Sequence, residues 1–191
     1  MPEIKTITTA EQQGGPPASA SAARDLGLAI TALRRGEPVL IRDAATSVLA
    51  VAAELVGEEN LQRLRQVAAG PAMVVLTRRR AVALGLAPRE DLSGALAIPV
   101  LGELPAAVIR NLANPATSLG AEPPGLGPQP MVAQGAALAA VTLAKLAALL
   151  PAALVLRIGA AEAALLARRS DLAAIEAAWV FRRDAATSGL T

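Results

Sequence analysis

Residues 131–158, MVAQGAALAAVTLAKLAALLPAALVLRI, set a helix directly against an apolar strand, with one proline between them. Leu138, Val141, Leu143, Leu146, Leu149 and Leu150 recur at helical spacing in a background of alanine, the strongest helix former. Gly135 supplies a small-residue turn ahead of the helix. Pro151 lacks a donor and pushes Leu150 out of helical geometry, so the helix is predicted to stop there. Residues 153–158 are apolar except for Arg157 and read as a run of one strand length, the pattern of a strand buried on both faces.

The remaining chain alternates in the same manner. From residue 23, Leu26, Ile30 and Leu33 mark an amphipathic helix with Arg34 and Arg35 in its last turn and Gly36 to end it. Strands are predicted at 38–42 and 48–52, joined as a hairpin by the polar turn 43–47. A helix at 58–68, with Leu61 and Leu64 on one face, closes at Gly70-Pro71. The strand at 72–77 is the clearest in the chain, and a short helix at 78–84 follows and ends at Gly85. Pro99 places the weaker strand 97–101 at a sheet edge. A helix at 104–113 stops at Asn114-Pro115, and residues 115–130 form a long Pro/Gly/Ser loop of the kind that is functional or disordered. A short helix near 161–169 and a last element at 172–179 complete the pattern. Its implication is an α/β fold, a mixed sheet with flanking helices.

At 191 residues the chain suits one core. The expected division is a disordered N-terminal tail at 1–22, a domain at 23–180, and a C-terminal tail or start of a linker at 181–191. The hexapeptide Arg-Asp-Ala-Ala-Thr-Ser occurs at 42–47 and again at 183–188. Its flanks do not match, and it reads as coincidence rather than a structural repeat.

Hydrophobic residues make up 53% of the chain and aromatic ones only 1%, so the core must be built of Ala, Leu and Val. The sequence pI of 9.9 overstates the charge, which is only +2. Without His, Cys or Tyr, little titrates between the carboxylates and the lysines, and a small excess of base carries the pI high. Arg34-Arg35, Arg78-Arg79-Arg80, Arg168-Arg169 and Arg182-Arg183 are separate groups with no interleaved aromatics to stack bases. They read as solvated helix ends, and no nucleic-acid partner is expected. Zero cysteines exclude disulfides and thiolate metal sites, and zero histidines remove the commonest general base and zinc ligand. Residues 131–158 have the length of a membrane span, but Lys145, Pro151 and the weak insertion drive of alanine argue for a buried helix and strand. No membrane contact is expected, and without an apolar signal-peptide core the expected location is cytoplasmic.

Two stretches carry a family resemblance. Residues 36–54, GEPVLIRDAATSVLAVAAE, and residues 68–86, AAGPAMVVLTRRRAVALGL, resemble 3,4-dihydroxy-2-butanone 4-phosphate synthase. LANPATS at 112–118 looks like that family's segment before its long loop, and the stretch from Gly135 is similar to the helix after its Gly-His-Thr-Glu-Ala motif. The likeness runs from about residue 23 to residue 179 and implies the family's α/β fold. Family members convert ribulose 5-phosphate to a four-carbon riboflavin precursor with loss of formate. They use magnesium held by a glutamate of an acidic loop and by the motif's histidine. Here the acidic loop is shorter and only Asp43 stands in it, while Ala136, Ala137 and Leu138 occupy the positions of His, Thr and Glu. The resemblance therefore implies the scaffold without its chemistry, in the form found at the N-terminus of some bacterial GTP cyclohydrolase II proteins. No catalytic, metal or cofactor-binding residue and no cofactor are expected. A homodimer and a GTP cyclohydrolase II domain are the expected partners. A repurposed cleft for a phosphorylated metabolite, or a fragment of a longer GTP cyclohydrolase II protein, are the alternatives.

Single residues carry competing readings. Asp43 and Glu54 are either remnants of a metal site or, more simply, solvated or capping carboxylates. Thr77 matches the family and also suits an N-cap. Trp179 reads as a core or interface anchor.

Overall fold

The computed structural model describes residues 18–67, 70–89, 91–118, 125–127 and 129–188. Strands β1 (Val39–Arg42), β2 (Ser47–Ala52), β3 (Ala72–Thr77), β4 (Ala95–Pro99), β5 (Met131–Val132), β6 (Ala152–Ile158) and β7 (Ala173–Glu176) form one sheet, ordered β5-β4-β3-β6-β2-β1-β7. All neighbours are antiparallel except β1 and β7, so the sheet is mixed, as the alternating pattern implies. The predicted hairpin is present, with Val39 opposite Ala50 and Arg42 opposite Ser47. The strand expected from the apolar run is the central β6, paired on both sides and buried except at Arg157.

Alternation along the strands sorts their side chains into two cores. Leu40, Leu49, Val51, Val74, Leu76, Ile98, Leu154 and Leu156 face one side. There helices α2 (Glu58–Val67), α4 (Ala106–Ala113) and α6 (Ala160–Leu166) cover them through Leu61, Leu64, Ile109, Leu112 and Leu166. The opposite face carries smaller groups, Ala50, Ala52, Ala97 and Ala153 among Val and Ile. Against it lie α1 (Ala18–Arg34), α5 (Gly135–Leu146) and α7 (Ala177–Ser188). The α5 residues that bury are mostly its alanines, Ala136, Ala137, Ala139, Ala140 and Ala144, with Val141 and Leu143. Alanine on helix and sheet alike lets the two backbones approach closely, which is how a core almost free of aromatics fills its volume. Among the described residues no helix is long and apolar enough to cross a membrane.

Three helices, one before β1, one after β3 and α5, end by one rule, not always with the expected residue. After α1 the amides of Gly36 and Glu37 bond back to Leu33 and Ala32, with Gly36 at φ +71°. The helix α3 (Arg78–Ala83) ends identically at Gly85, φ +76°. Both are the paired-bond closure in which a left-handed residue turns the chain out of the helix. Helix α5 uses it too, but its last residue, Leu146, comes four residues before the stop expected at Leu150. Ala148 bonds to Lys145 and Leu149 to Ala144, and Ala148 itself adopts φ +56°. Pro151 follows a helix that has already ended.

The structure differs from the sequence reading in further places: the strand expected at 97–101 is Ala95–Pro99, and the last element expected at 172–179 is a strand followed by a helix. Residues 18–22, assigned to the N-terminal tail, are the first turn of α1, with Ala22 buried; residues 1–17 lie outside the described residues. Residues 181–188, assigned to the C-terminal tail, continue α7, because Phe181 packs on the core and Asp184 pairs with Lys145 at 2.9 Å. The strand expected at the edge, β4, has β5 outside it, though β5 pairs only with Leu96 and Ala97. Pro99 lies beyond that pairing, so its missing donor disturbs no ladder bond there.

Candidate functional site

The turn of the β1–β2 hairpin lies over the start of α5, and this is where the chain brings its resemblance-bearing residues together. Gly135 opens α5 at φ +52°, a conformation that favours glycine. A Cβ placed there would overlap Oδ2 of Asp43 and sit 3.2 Å from its Cγ. The other carboxylate oxygen, Oδ1, accepts the amide of Ala44 at 2.9 Å. The Asp43 carboxylate is thus aimed at the positive end of a twelve-residue helix, a placement that favours negative charge.

A cleft of about 380 Å³ opens beside this contact. Thr46 and Asp43 line it from the hairpin, Gln134 and Gly135 from the mouth of α5, Arg157 from β6, and Met73 and Met131 from the sheet. Of the three residues that follow Gly135, Ala136 is wholly buried and Ala137 nearly so. Their methyl groups belong to the core that α5 forms with the sheet. Methyl groups can neither ligate a metal nor accept a proton. Among the described residues no three His, Cys, Asp or Glu side chains converge as a metal site would require.

Glu54 is not part of this cleft. It follows β2 in a 3-10 turn (Ala53–Leu55), whereas Asp43 precedes that strand, and six residues at about 3.3 Å each put the two at opposite ends of the sheet. Its Oε1 accepts the amide of Leu150 at 2.6 Å, just after α5 has ended. This bond anchors the turn between α5 and β6 at Leu150, the residue before Pro151. Arg42 pairs with Glu176 at 2.8 Å across the β1–β7 register, and so does not join Asp43 either. Thr77 is the N-cap of α3, its Oγ1 accepting the amide of Arg80. Trp179 is half-buried against the α1–α5–α7 core, with the Arg182 guanidinium 4.7 Å above its ring.

Arg80 is the residue whose role sequence reasoning missed. Read as a solvated helix end, it instead donates Nε–H to the carbonyl of Leu112 at 2.8 Å. Its Nη2 donates to the carbonyls of Asn111 at 3.0 Å and Thr117 at 2.9 Å. Burial lowers its proton affinity below the ordinary arginine value. The triplet signalled a charge cluster, and only the planar fork of one member reaching three carbonyls shows its use. It pins the LANPATS segment that leads toward residues 119–124, which lie outside the described residues.

No protein-family model matches the chain. A GTP cyclohydrolase-2 of Azospirillum brasilense is 39% identical over 141 residues, covering 73% of this chain and 36% of that protein. The chain therefore spans about a third of that relative's length. Among solved structures, the 3,4-dihydroxy-2-butanone 4-phosphate synthase of Candida albicans is similar with a TM-score of 0.62 at 22% identity, covering 83% of this chain and 96% of that one. A two-domain 3,4-dihydroxy-2-butanone 4-phosphate synthase from A. baumannii is similar with a TM-score of 0.63 at 19% identity, over 83% of this chain and 57% of that one. The chain is a 3,4-dihydroxy-2-butanone 4-phosphate synthase-like domain by fold, and by sequence it is similar to part of a GTP cyclohydrolase-2.

Proposed function

We propose that the chain is a non-catalytic synthase-like domain of riboflavin biosynthesis, acting in the cytoplasm as a homodimer that organises or regulates a GTP cyclohydrolase II. The sequence similarity to a GTP cyclohydrolase-2 supports that association. The observation that carries the loss of chemistry is the mouth of α5. Ala136 and Ala137 are packed into the core where the resembling family has a histidine and a threonine, and the carboxylate that the hairpin brings to Gly135 is that of Asp43. A hard cation needs several oxygen ligands, and enolisation needs an acid/base group beside it. The test is incubation of the purified chain with ribulose 5-phosphate and magnesium, with formate as the readout. No formate above the protein-free control is expected, and steady formate release would overturn the reading. Sedimentation should give a dimer, and addition of the chain to a GTP cyclohydrolase II should change that enzyme's rate or assembly.

A second reading keeps the cleft in use. The Arg157 guanidinium lines the same 380 Å³ space as Asp43 and Gln134, and it favours a phosphorylated metabolite whose phosphate lies on the Arg157 side, away from the carboxylate. Sugar phosphates that shift the resonances of Gly135 and Arg157 in a titration would favour this reading over a silent cleft.

A further inference from the structure

We propose that the cleft between α2 and α6 binds a small organic monophosphate with an apolar body, at a site separate from the Asp43 cleft. Adjacent residues of β2 separate the two: Val48 lines the Asp43 cleft, and Leu49 points through the other face into this one. The space measures about 440 Å³. That lies within the roughly 300–1,000 Å³ common to small-molecule sites and is more than a free phosphate needs.

The lining has an apolar floor and a charged rim. Leu49, Leu64 and Leu166 form the floor. Three guanidiniums, Arg35, Arg63 and Arg169, line the rim with two carboxylates, Glu37 and Asp171. Arg169 is committed, its Nε and Nη2 bonded to the two oxygens of Asp171 at 3.0 and 2.7 Å. Arg63 is paired only with Glu59, and both are largely exposed, so an incoming anion can displace that pair at little cost. Arg35 has no side-chain partner among the described residues. Two available planar forks match the oxygens of a phosphate. The two carboxylates leave a small positive excess that suits a monoester better than a polyphosphate.

The rim is also built before any ligand arrives. Asn60 Oδ1 accepts the amide of Gly57 at 2.6 Å, while its Nδ2 donates to the carbonyls of Gly36 at 3.2 Å and Leu55 at 3.3 Å. One side chain thereby ties the turn that bears Arg35 to the helix that bears Arg63, and less ordering remains to oppose binding.

The test titrates the full chain, with labelled leucine methyls, using GMP and 1-naphthyl phosphate as probes and guanosine and inorganic phosphate as half-ligands. Both aromatic phosphates are expected to shift the Leu64 and Leu166 methyls, and each half-ligand to bind at least tenfold more weakly. Arg35→Ala and Arg63→Ala should each weaken binding about tenfold, while Arg79→Ala on α3 should not. The variants change exposed side chains, and their circular dichroism should be unaltered. Unshifted methyls at millimolar probe would overturn the proposal. So would inorganic phosphate binding as tightly as GMP, or affinity unchanged in the Arg35→Ala/Arg63→Ala double variant.

Discussion

Replacing Gly135 by alanine tests whether the hairpin carboxylate and the helix mouth are one unit. Two costs should separate. The first is conformational: at φ +52° an alanine pays about 1–2 kcal/mol, offset by about 0.4–1 kcal/mol because the unfolded chain loses freedom. The second is steric, because the new Cβ takes the place of Asp43 Oδ2. The carboxylate can rotate away, but it then gives up the bond to the Ala44 amide, about 1 kcal/mol, and its favourable place at the helix terminus, about 0.3–1 kcal/mol. Gly135→Ala should therefore destabilise the protein by about 2 kcal/mol. In an Asp43→Ala background only the conformational part remains, and the same substitution should cost about 0.5–1 kcal/mol. Urea unfolding of the four proteins, followed by far-ultraviolet circular dichroism, yields the coupling directly. An equal cost in both backgrounds would refute the claim that Asp43 occupies the space above Gly135.

Glu54→Ala removes the acceptor of the Leu150 amide and should cost about 1–3 kcal/mol, whereas Glu54→Gln keeps an acceptor and should cost less; equal losses would argue against the anchoring role. Ala148→Gly should stabilise the protein by about 0.5–1 kcal/mol, read from the urea midpoint, since the left-handed exit of α5 no longer strains a side chain while the unfolded chain gains freedom. Arg80→Lys cannot span three carbonyls, so amide exchange across residues 111–118 should quicken while that of β6 does not. Hydrogen bonding from Arg169 holds the Asp171 carboxyl below its ordinary 3.8, so the stabilisation it gives is full above that value and fades as the pH falls through the lowered one. Carboxyl NMR of Arg169→Ala should show Asp171 titrating back toward the ordinary value.

The strands were legible because apolar runs and breakers mark them without outside help, as at 72–77, where prediction and structure agree residue for residue. Glycine exits were legible too, at Gly36 and Gly85, because glycine advertises positive φ. Ala148 does the same work without advertising it, and so the visible Pro151 drew the boundary. The repeated hexapeptide shows why local sequence runs out. At 42–47 it closes a hairpin, while at 183–188 it is the end of α7, one string in two conformations set by what each packs against. The site divided in the same way. That Ala136 and Ala137 follow Gly135 is plain from the sequence. That Asp43 sits over Gly135 while Glu54 serves the far end of α5 depends on sheet register, and the reach of Arg80 depends on contacts between segments distant in the chain.

The pairing of β1 with β7 has a consequence for how the protein is made. Strand β1 lies between its neighbour in sequence, β2, and the distant β7, so one of its edges stays open until residues 173–176 have been synthesised. Such distant partners come together slowly, and an apolar strand with an unpaired edge is a site of misassembly while it waits. On the ribosome the hairpin, β3 and β6 can begin to pair as they emerge, but Val39 to Arg42 find their parallel partner only when residues 173–176 clear the exit tunnel. Nascent chains stalled before residue 173 should accordingly be protease-sensitive around β1, and those stalled well beyond it should not.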